Sequence, residues 1–116
     1  MSRELTAYKN LKDLALKEFI LPGTTACGGC GGLEALRLAA KVLGDRVVYV
    51  NAAGCFTLLS VFPYTPFRGS WLYTTMGSAP AGAQGVRDAL DALIARGKVK
   101  PEDDVQVVVV AGDGAT

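Results

Sequence analysis

The sequence predicts an α/β fold in which a parallel sheet is flanked by helices. Three observations point there. Short runs rich in β-branched residues, at 46–51, 71–75 and 105–111, alternate with stretches of helical character. The last of them is nearly all valine, the pattern of a strand buried on both faces. Loops rich in glycine and proline separate the runs.

The elements follow in order. Residues 5–19 place Leu5, Tyr8, Leu11, Leu14 and Ala15 roughly three and four apart, one side of an amphipathic helix. LPGTTACGGCGG then holds Pro22 and five glycines between Gly23 and Gly32, so it reads as loop. LEALRLAAKVLG is a second helix, rich in Ala and Leu and closed by Gly44. RVVYVN is the first strand, followed by a loop carrying Cys55. FPYTPFRGSW, with Pro63 and Pro66, is extended and irregular. A strand at 71–75 leads into SAPAGAQGVRDALDALIARG, a helix with Pro80 in its first turn and Gly97 past its end. VKPEDD is a turn before the valine strand.

At 116 residues the chain has the size of one domain, and half of it is apolar. The net charge of +1 gives no electrostatic case for nucleic acid or an acidic membrane surface. No apolar run is long enough to span a bilayer, and the first residues mix charges without a signal-peptide core. The expected location is cytoplasmic. The absence of histidine removes serine–histidine and cysteine–histidine catalysis and the usual zinc-enzyme ligand sets.

Gly112-Asp113-Gly114 follows the third strand. Ligands of open parallel sheets bind beyond the carboxyl ends of the strands. Glycines let a backbone approach a phosphate, and an aspartate holds Mg²⁺ through oxygen. Asp113 is therefore either a carboxylate bridged by a metal to a diphosphate or a plain helix cap. Cys27 and Cys30 stand at C-x-x-C spacing in a glycine-rich loop, and Cys55 lies 25 residues further on. Two such thiolates can hold one metal centre with a third joining from a neighbouring loop. Buried cysteines and a redox dithiol are the alternatives. Arg68 and Trp71 can border a substrate, although a surface arginine is the plainer reading. Asn51 ends a strand on the ligand edge, Tyr64 reads as packing, and Ser78 as an N-cap.

Five stretches, CGGCG, VVYVNAAGC, FPYTPFRGSW, APAGAQGV and VVVVAGDGAT, occur in one order between residues 21 and 116. In that order they resemble the N-terminal part of the β, thiamine-diphosphate-binding subunit of 2-oxoacid:ferredoxin oxidoreductases, the pyruvate type most of all. The resemblance implies the N-terminal portion of a thiamine-diphosphate-binding fold. It implies that Cys27, Cys30 and Cys55 are three of four ligands of a [4Fe–4S] cluster, with the fourth cysteine later in the subunit. Asp113 matches the aspartate that holds Mg²⁺ on the diphosphate, and Gly112 and Gly114 match the glycines of the diphosphate-binding turn. The implied activity is thiamine-diphosphate-dependent oxidative decarboxylation of a 2-oxoacid. Electrons leave through the cluster to ferredoxin, coenzyme A takes the acyl group, and subunits of α, γ and δ type complete the complex.

The resemblance also implies a longer subunit, so residues 1–116 read as its domain truncated after the Gly-Asp-Gly turn. Gly32 stands where the family often has a glutamate, with Glu34 two residues on. Gly77-Ser78 stands where it commonly has Glu-Asn, so beside pyruvate, which the resemblance favours, an aryl or branched 2-oxoacid or oxalate stays open as substrate. No side chain is assigned as a catalytic acid or base. Two other readings compete: a non-catalytic truncated partner domain, and a zinc or dithiol protein built on Cys27 and Cys30. A sheet ending at the valine strand would leave an unpaired hydrophobic edge, so the isolated chain is expected to be poorly soluble unless covered.

Overall fold

A computed structural model describes residues 9–116. Its strands are β1 (Val47–Ala52), β2 (Ser70–Thr74) and β3 (Gln106–Val110), and its helices α1 (Gly31–Leu43) and α2 (Ala79–Ala95). The strands form one parallel sheet in the order β2-β1-β3, with Val50 opposite Leu72 on one side and Val109 on the other. The parallel α/β arrangement expected from the sequence is therefore present.

The strand order corrects one expectation. Burial on both faces belongs to β1, where Val47, Tyr49, Val50, Asn51 and Ala52 are all buried. The valine-rich β3 lies at the sheet edge, and of its residues only Val110 is buried while Val109 is 39% exposed. A central strand has neighbours on both sides as well as both faces; an edge strand does not, whatever its composition.

Alternation along β1 divides the core into two layers. Val47 and Tyr49 face Leu36 and Ala40 of α1, together with Leu59, Phe67 and Val110. Val50 and Ala52 face Ala79 and Ala83 of α2. Gly82 lets α2 approach closely, since a Cβ there would stand 3.3 Å from Thr74 Cγ2 and 3.6 Å from Val50 Cγ1. On the α1 side the Phe67 and Trp71 rings stack at 4.1 Å, and both lie against Tyr49. Burial of Tyr49 raises the pKa of its phenol.

The helix ends follow from their sequences. Gly44 ends α1 with φ 78°, a left-handed conformation that favours glycine, and Gly97 does the same after α2 with φ 67°. Arg87 of α2 donates to Asp91, Asp104 and the Val105 carbonyl, which ties α2 to the start of β3. Arg96 takes the C-cap position of α2, and Gly97 follows it directly.

The amphipathic helix expected at 5–19 is not formed over its described part, and residues 5–8 lie outside the described residues. From residue 9 onward this segment has a single 3₁₀ turn, Leu11–Asp13. Leu11 and Leu16 are 78% and 96% exposed, while Leu14 and Ala15 are half-buried and Phe19 packs against the core. Polar contacts also hold the segment against α1. Glu18 pairs with Arg37 at 2.7 Å and Lys41 at 2.9 Å, and Lys41 Nζ also donates to the Ala15 carbonyl. Beyond it the chain is extended: Ile20 bridges Phe67 in antiparallel fashion, and Leu21 N donates to the Pro66 carbonyl. No helix among the described residues is long and apolar enough to cross a membrane.

Candidate functional site at the carboxyl edge of the sheet

All three strands run the same way, so their carboxyl ends deliver three loops to one edge. β1 continues through Ala53-Gly54 into a 3₁₀ turn, Cys55–Leu59. This turn is closed at its start by reciprocal bonds, Gly54 N to Thr57 Oγ1 at 3.1 Å and Thr57 N to the Gly54 carbonyl at 3.0 Å. β2 leads to Met76, and β3 to Gly112-Asp113-Gly114, where Asp113–Ala115 forms a short 3₁₀ turn. The loops enclose a cleft of about 240 Å³ with Cys55, Phe56, Met76 and Asp113 on its walls.

The cleft brings together two of the sequence-assigned groups, Cys55 and the Gly112-Asp113-Gly114 turn, from loops 58 residues apart at Cys55 and Asp113. Asp113 is its one charged residue; the rest of the wall is alanine, glycine, Cys55, Phe56 and Met76. The Asp113 carboxylate has no hydrogen-bond or ion-pair partner among the described residues. Its main-chain carbonyl accepts from Thr116 Oγ1 at 2.8 Å. A lone carboxylate flanked by glycines suits a hard cation that shares its remaining ligands with phosphate oxygens.

Cys27 and Cys30 stand outside this cleft, on the loop entering α1. Cys30 caps that helix: its N–H donates to the Cys27 carbonyl at 3.2 Å, and its Sγ accepts from Leu33 N at 3.4 Å. Gly29, with φ 72°, makes the turn between the two cysteines possible. This loop docks on the turn that carries Cys55, because the Thr25 hydroxyl donates to the Leu58 carbonyl. Gly32 sits where the two meet. A Cβ on Gly32 would stand 3.0 Å from the Phe56 ring and 3.8 Å from Cys30 Sγ. A side chain at position 32 would therefore crowd the edge of Phe56.

All three thiols are free, with Cys27 and Cys55 exposed and Cys30 half-buried. Among the described residues no three Cys, Asp or Glu side chains stand close enough together to hold one metal ion. The sulfurs themselves are not gathered.

Several other residues fall elsewhere. Arg68 Nε donates to the Glu18 carbonyl at 3.1 Å, so it holds the N-terminal segment rather than facing the cleft. Trp71 is part of the ring stack. Tyr64 OH donates to the Pro22 carbonyl. Glu34 is exposed beside Arg37. Ser78 takes the N-cap position of α2, but its hydroxyl pairs with Thr75 Oγ1 at 2.6 Å instead of capping. Sequence reasoning missed Phe56 and Met76 as cleft residues; their place directly after two strand ends was the available signal. A larger cavity of about 280 Å³ lies between the N-terminal segment and α1, but its charged groups, Glu18 and Arg37, are already paired with each other.

The chain was compared with known proteins. No family model matches it. It is 42% identical over 101 residues to the pyruvate synthase subunit PorB of Methanothermobacter thermautotrophicus, covering 86% of this chain and 33% of that protein. Over this stretch the chain is similar in sequence to PorB subunits. The PorB of Methanocaldococcus jannaschii is 33% identical over 86% of this chain and 34% of its own length. The ketoisovalerate oxidoreductase subunit VorB of Pyrococcus abyssi is 36% identical over 89% of this chain and 33% of its own length. The chain spans about a third of the length of these relatives.

Proposed function

We propose that the chain supplies part of the thiamine-diphosphate and iron–sulfur site of a 2-oxoacid:ferredoxin oxidoreductase, with pyruvate as substrate. The observation that carries this reading is the shared cleft of Cys55 and Asp113 at the carboxyl edge of a parallel sheet. When bound, thiamine diphosphate supplies the electron sink for decarboxylation, and a [4Fe–4S] cluster the one-electron outlet towards ferredoxin.

The chain's own residues serve binding and orientation. Asp113 holds Mg²⁺ on the diphosphate, and Gly112 and Gly114 leave the backbone open to it. Cys27, Cys30 and Cys55 would be thiolate donors, and the resemblance puts the fourth cluster ligand later in the subunit. Phe56 and Met76 keep the cleft wall apolar, which limits water near the reacting carbon. No residue of the cleft is a histidine or a basic side chain, so proton transfers fall to other groups of the complex. Other oxidoreductase subunits and coenzyme A complete the reaction, and the site is cytoplasmic. A branched 2-oxoacid is the second reading, because the VorB relative is as similar to this chain as several PorB relatives are.

The test is binding and metal content. Protein isolated without oxygen carries iron and sulfide and binds thiamine diphosphate only with Mg²⁺. Asp113→Asn weakens that binding by at least about tenfold, or ~1.4 kcal/mol. Unchanged affinity rejects the Asp113 assignment. Zinc without sulfide favours the dithiol reading, and a colourless protein with three titratable thiols favours a non-catalytic partner domain.

A further inference from the structure

Helix α1 opens on two glycines, Gly31 and Gly32, although glycine is among the poorest helix formers. Neither has a positive φ, so the backbone requires neither. A Cβ on Gly31 would meet open space, whereas one on Gly32 would stand 3.0 Å from Phe56 Cζ and 3.6 Å from Phe56 Cε1. The glycine at 32 therefore has a spatial reason that the one at 31 lacks: the Phe56 ring lies back against the start of α1. Phe56 has two sides. One meets Gly32 and the apolar cluster beneath α1, and the other is a wall of the cleft that holds Asp113. Gly32 itself does not line that cleft.

A side chain at position 32 would act through the ring, because the main chain on both sides of the contact is tied. Around Phe56, Gly54 N donates to Thr57 Oγ1 at 3.1 Å, Thr57 N donates to the Gly54 carbonyl at 3.0 Å, and the Leu58 carbonyl accepts from the Thr25 hydroxyl. At the start of α1, Cys30 accepts from Glu34 N through its carbonyl at 3.1 Å and from Leu33 N through Sγ at 3.4 Å. Rotation of the Phe56 side chain is the soft response. Inward it meets the packed cluster of Leu36, Ala40 and Leu59. The open direction is the cleft, and in about 240 Å³ a displaced ring takes a substantial share of the room.

We propose that Gly32, from outside the cleft, sets how far Phe56 reaches into it and thereby which diphosphates fit. The bare position lets the ring lie back and leaves room beside Asp113 for the organic group that a diphosphate ester carries. This rests on the reading of Asp113 as the site of a Mg²⁺-held diphosphate. The two tasks fall on different loops: Gly112-Asp113-Gly114 follows β3, and Phe56 follows β1. A larger residue at 32 therefore acts on the organic part of the ligand and leaves its inorganic part alone. Gly32 is a positioning residue, and Phe56 is the group through which it acts.

The test measures the binding of two Mg²⁺ complexes, of thiamine diphosphate and of inorganic pyrophosphate, to the chain isolated with its native partners. Gly32→Ala weakens thiamine diphosphate by about two- to threefold and Gly32→Leu by at least about tenfold, while pyrophosphate binds each variant as it binds the parent. Gly32→Ala melts at the same or a higher temperature, since alanine favours the helix, so its lost affinity is not lost stability. In a Phe56→Leu background, which lacks the far edge of the ring, the same two substitutions change thiamine diphosphate affinity by less than about twofold. Equal thiamine diphosphate affinity in Gly32→Leu and the parent overturns the proposal. So do parallel losses for both ligands, or a loss that persists undiminished in the Phe56→Leu background. A parent that binds neither complex overturns the diphosphate reading of the cleft itself, and so is told apart from a failure of Gly32 alone.

Discussion

Two glycines of this fold test whether close backbone approach sets the sheet, because the same substitution should destabilise at one and be nearly neutral at the other. Gly69 precedes β2. A Cβ there would stand 2.7 Å from the Val47 carbonyl oxygen and 2.8 Å from Val47 Cγ1, with Tyr49 Cε2 at 3.5 Å. The Cγ1 contact can be relieved by rotation, but the carbonyl belongs to the central strand and cannot turn away. The start of β2 must therefore move off β1, which disturbs the pairing from Val48–Ser70 onward and the ring stack of Phe67 and Trp71. Overpacking of this kind costs ~2 kcal/mol. For a domain of this size that lowers the melting temperature by on the order of 10 °C. Gly82 lies within α2, and its nearest neighbours to an added Cβ are Thr74 Cγ2 at 3.3 Å and Val50 Cγ1 at 3.6 Å. Alanine there gains about 0.5–1 kcal/mol of helix propensity, which offsets a shift of a few tenths of an ångström. Gly82→Ala should leave stability within about 0.5 kcal/mol of the parent. Urea unfolding followed by circular dichroism measures both. A Gly69→Ala midpoint equal to the parent's, or one above that of Gly82→Ala, would refute the reasoning.

Two further predictions concern charge and the sheet edges. Contacts with Arg37, then Lys41, hold the Glu18 carboxyl down to about 2 from an ordinary value of 4.5. A lowered folded pKa contributes stability that is full above 4.5 and fades as pH falls towards about 2. Proteolysis of the segment around residue 18 should accelerate through that window in the parent, while Glu18→Gln should be cleaved readily at neutral pH and show no such acid step. Equal cleavage of the two at neutral pH would show that the ion pairs do not anchor the segment. Among the described residues no strand pairs with the outer side of β2 or β3, and Leu72, Tyr73 and Val109 are 40%, 55% and 39% exposed there. The isolated chain should self-associate with rising concentration, and Tyr73→Lys with Val109→Lys should suppress it. A parent that sediments as a monodisperse monomer at high concentration contradicts this.

Much of the local architecture was legible in the sequence because its signals are local. The Ala- and Leu-rich run closed by Gly44 gave α1, Pro80 and Gly97 bracketed α2, and β-branched runs marked all three strands to within a residue or two. The chemical inventory was equally plain: three thiols, no histidine, and a Gly-Asp-Gly turn after a strand. Tertiary structure decided the rest, because strand order and loop contacts join residues far apart in the chain. A valine run reads as doubly buried until the order β2-β1-β3 puts it at the edge and gives the centre to β1. The spacing of Leu11 and Leu14 reads as a helix, yet only a single 3₁₀ turn forms, Leu11 stays exposed, and the pairing of Glu18 with Lys41 helps hold the segment. The meeting of Cys55 with Asp113, and the burial of the Asn51 side chain without a partner among the described residues, exist only once parallel strands bring their carboxyl ends to one edge.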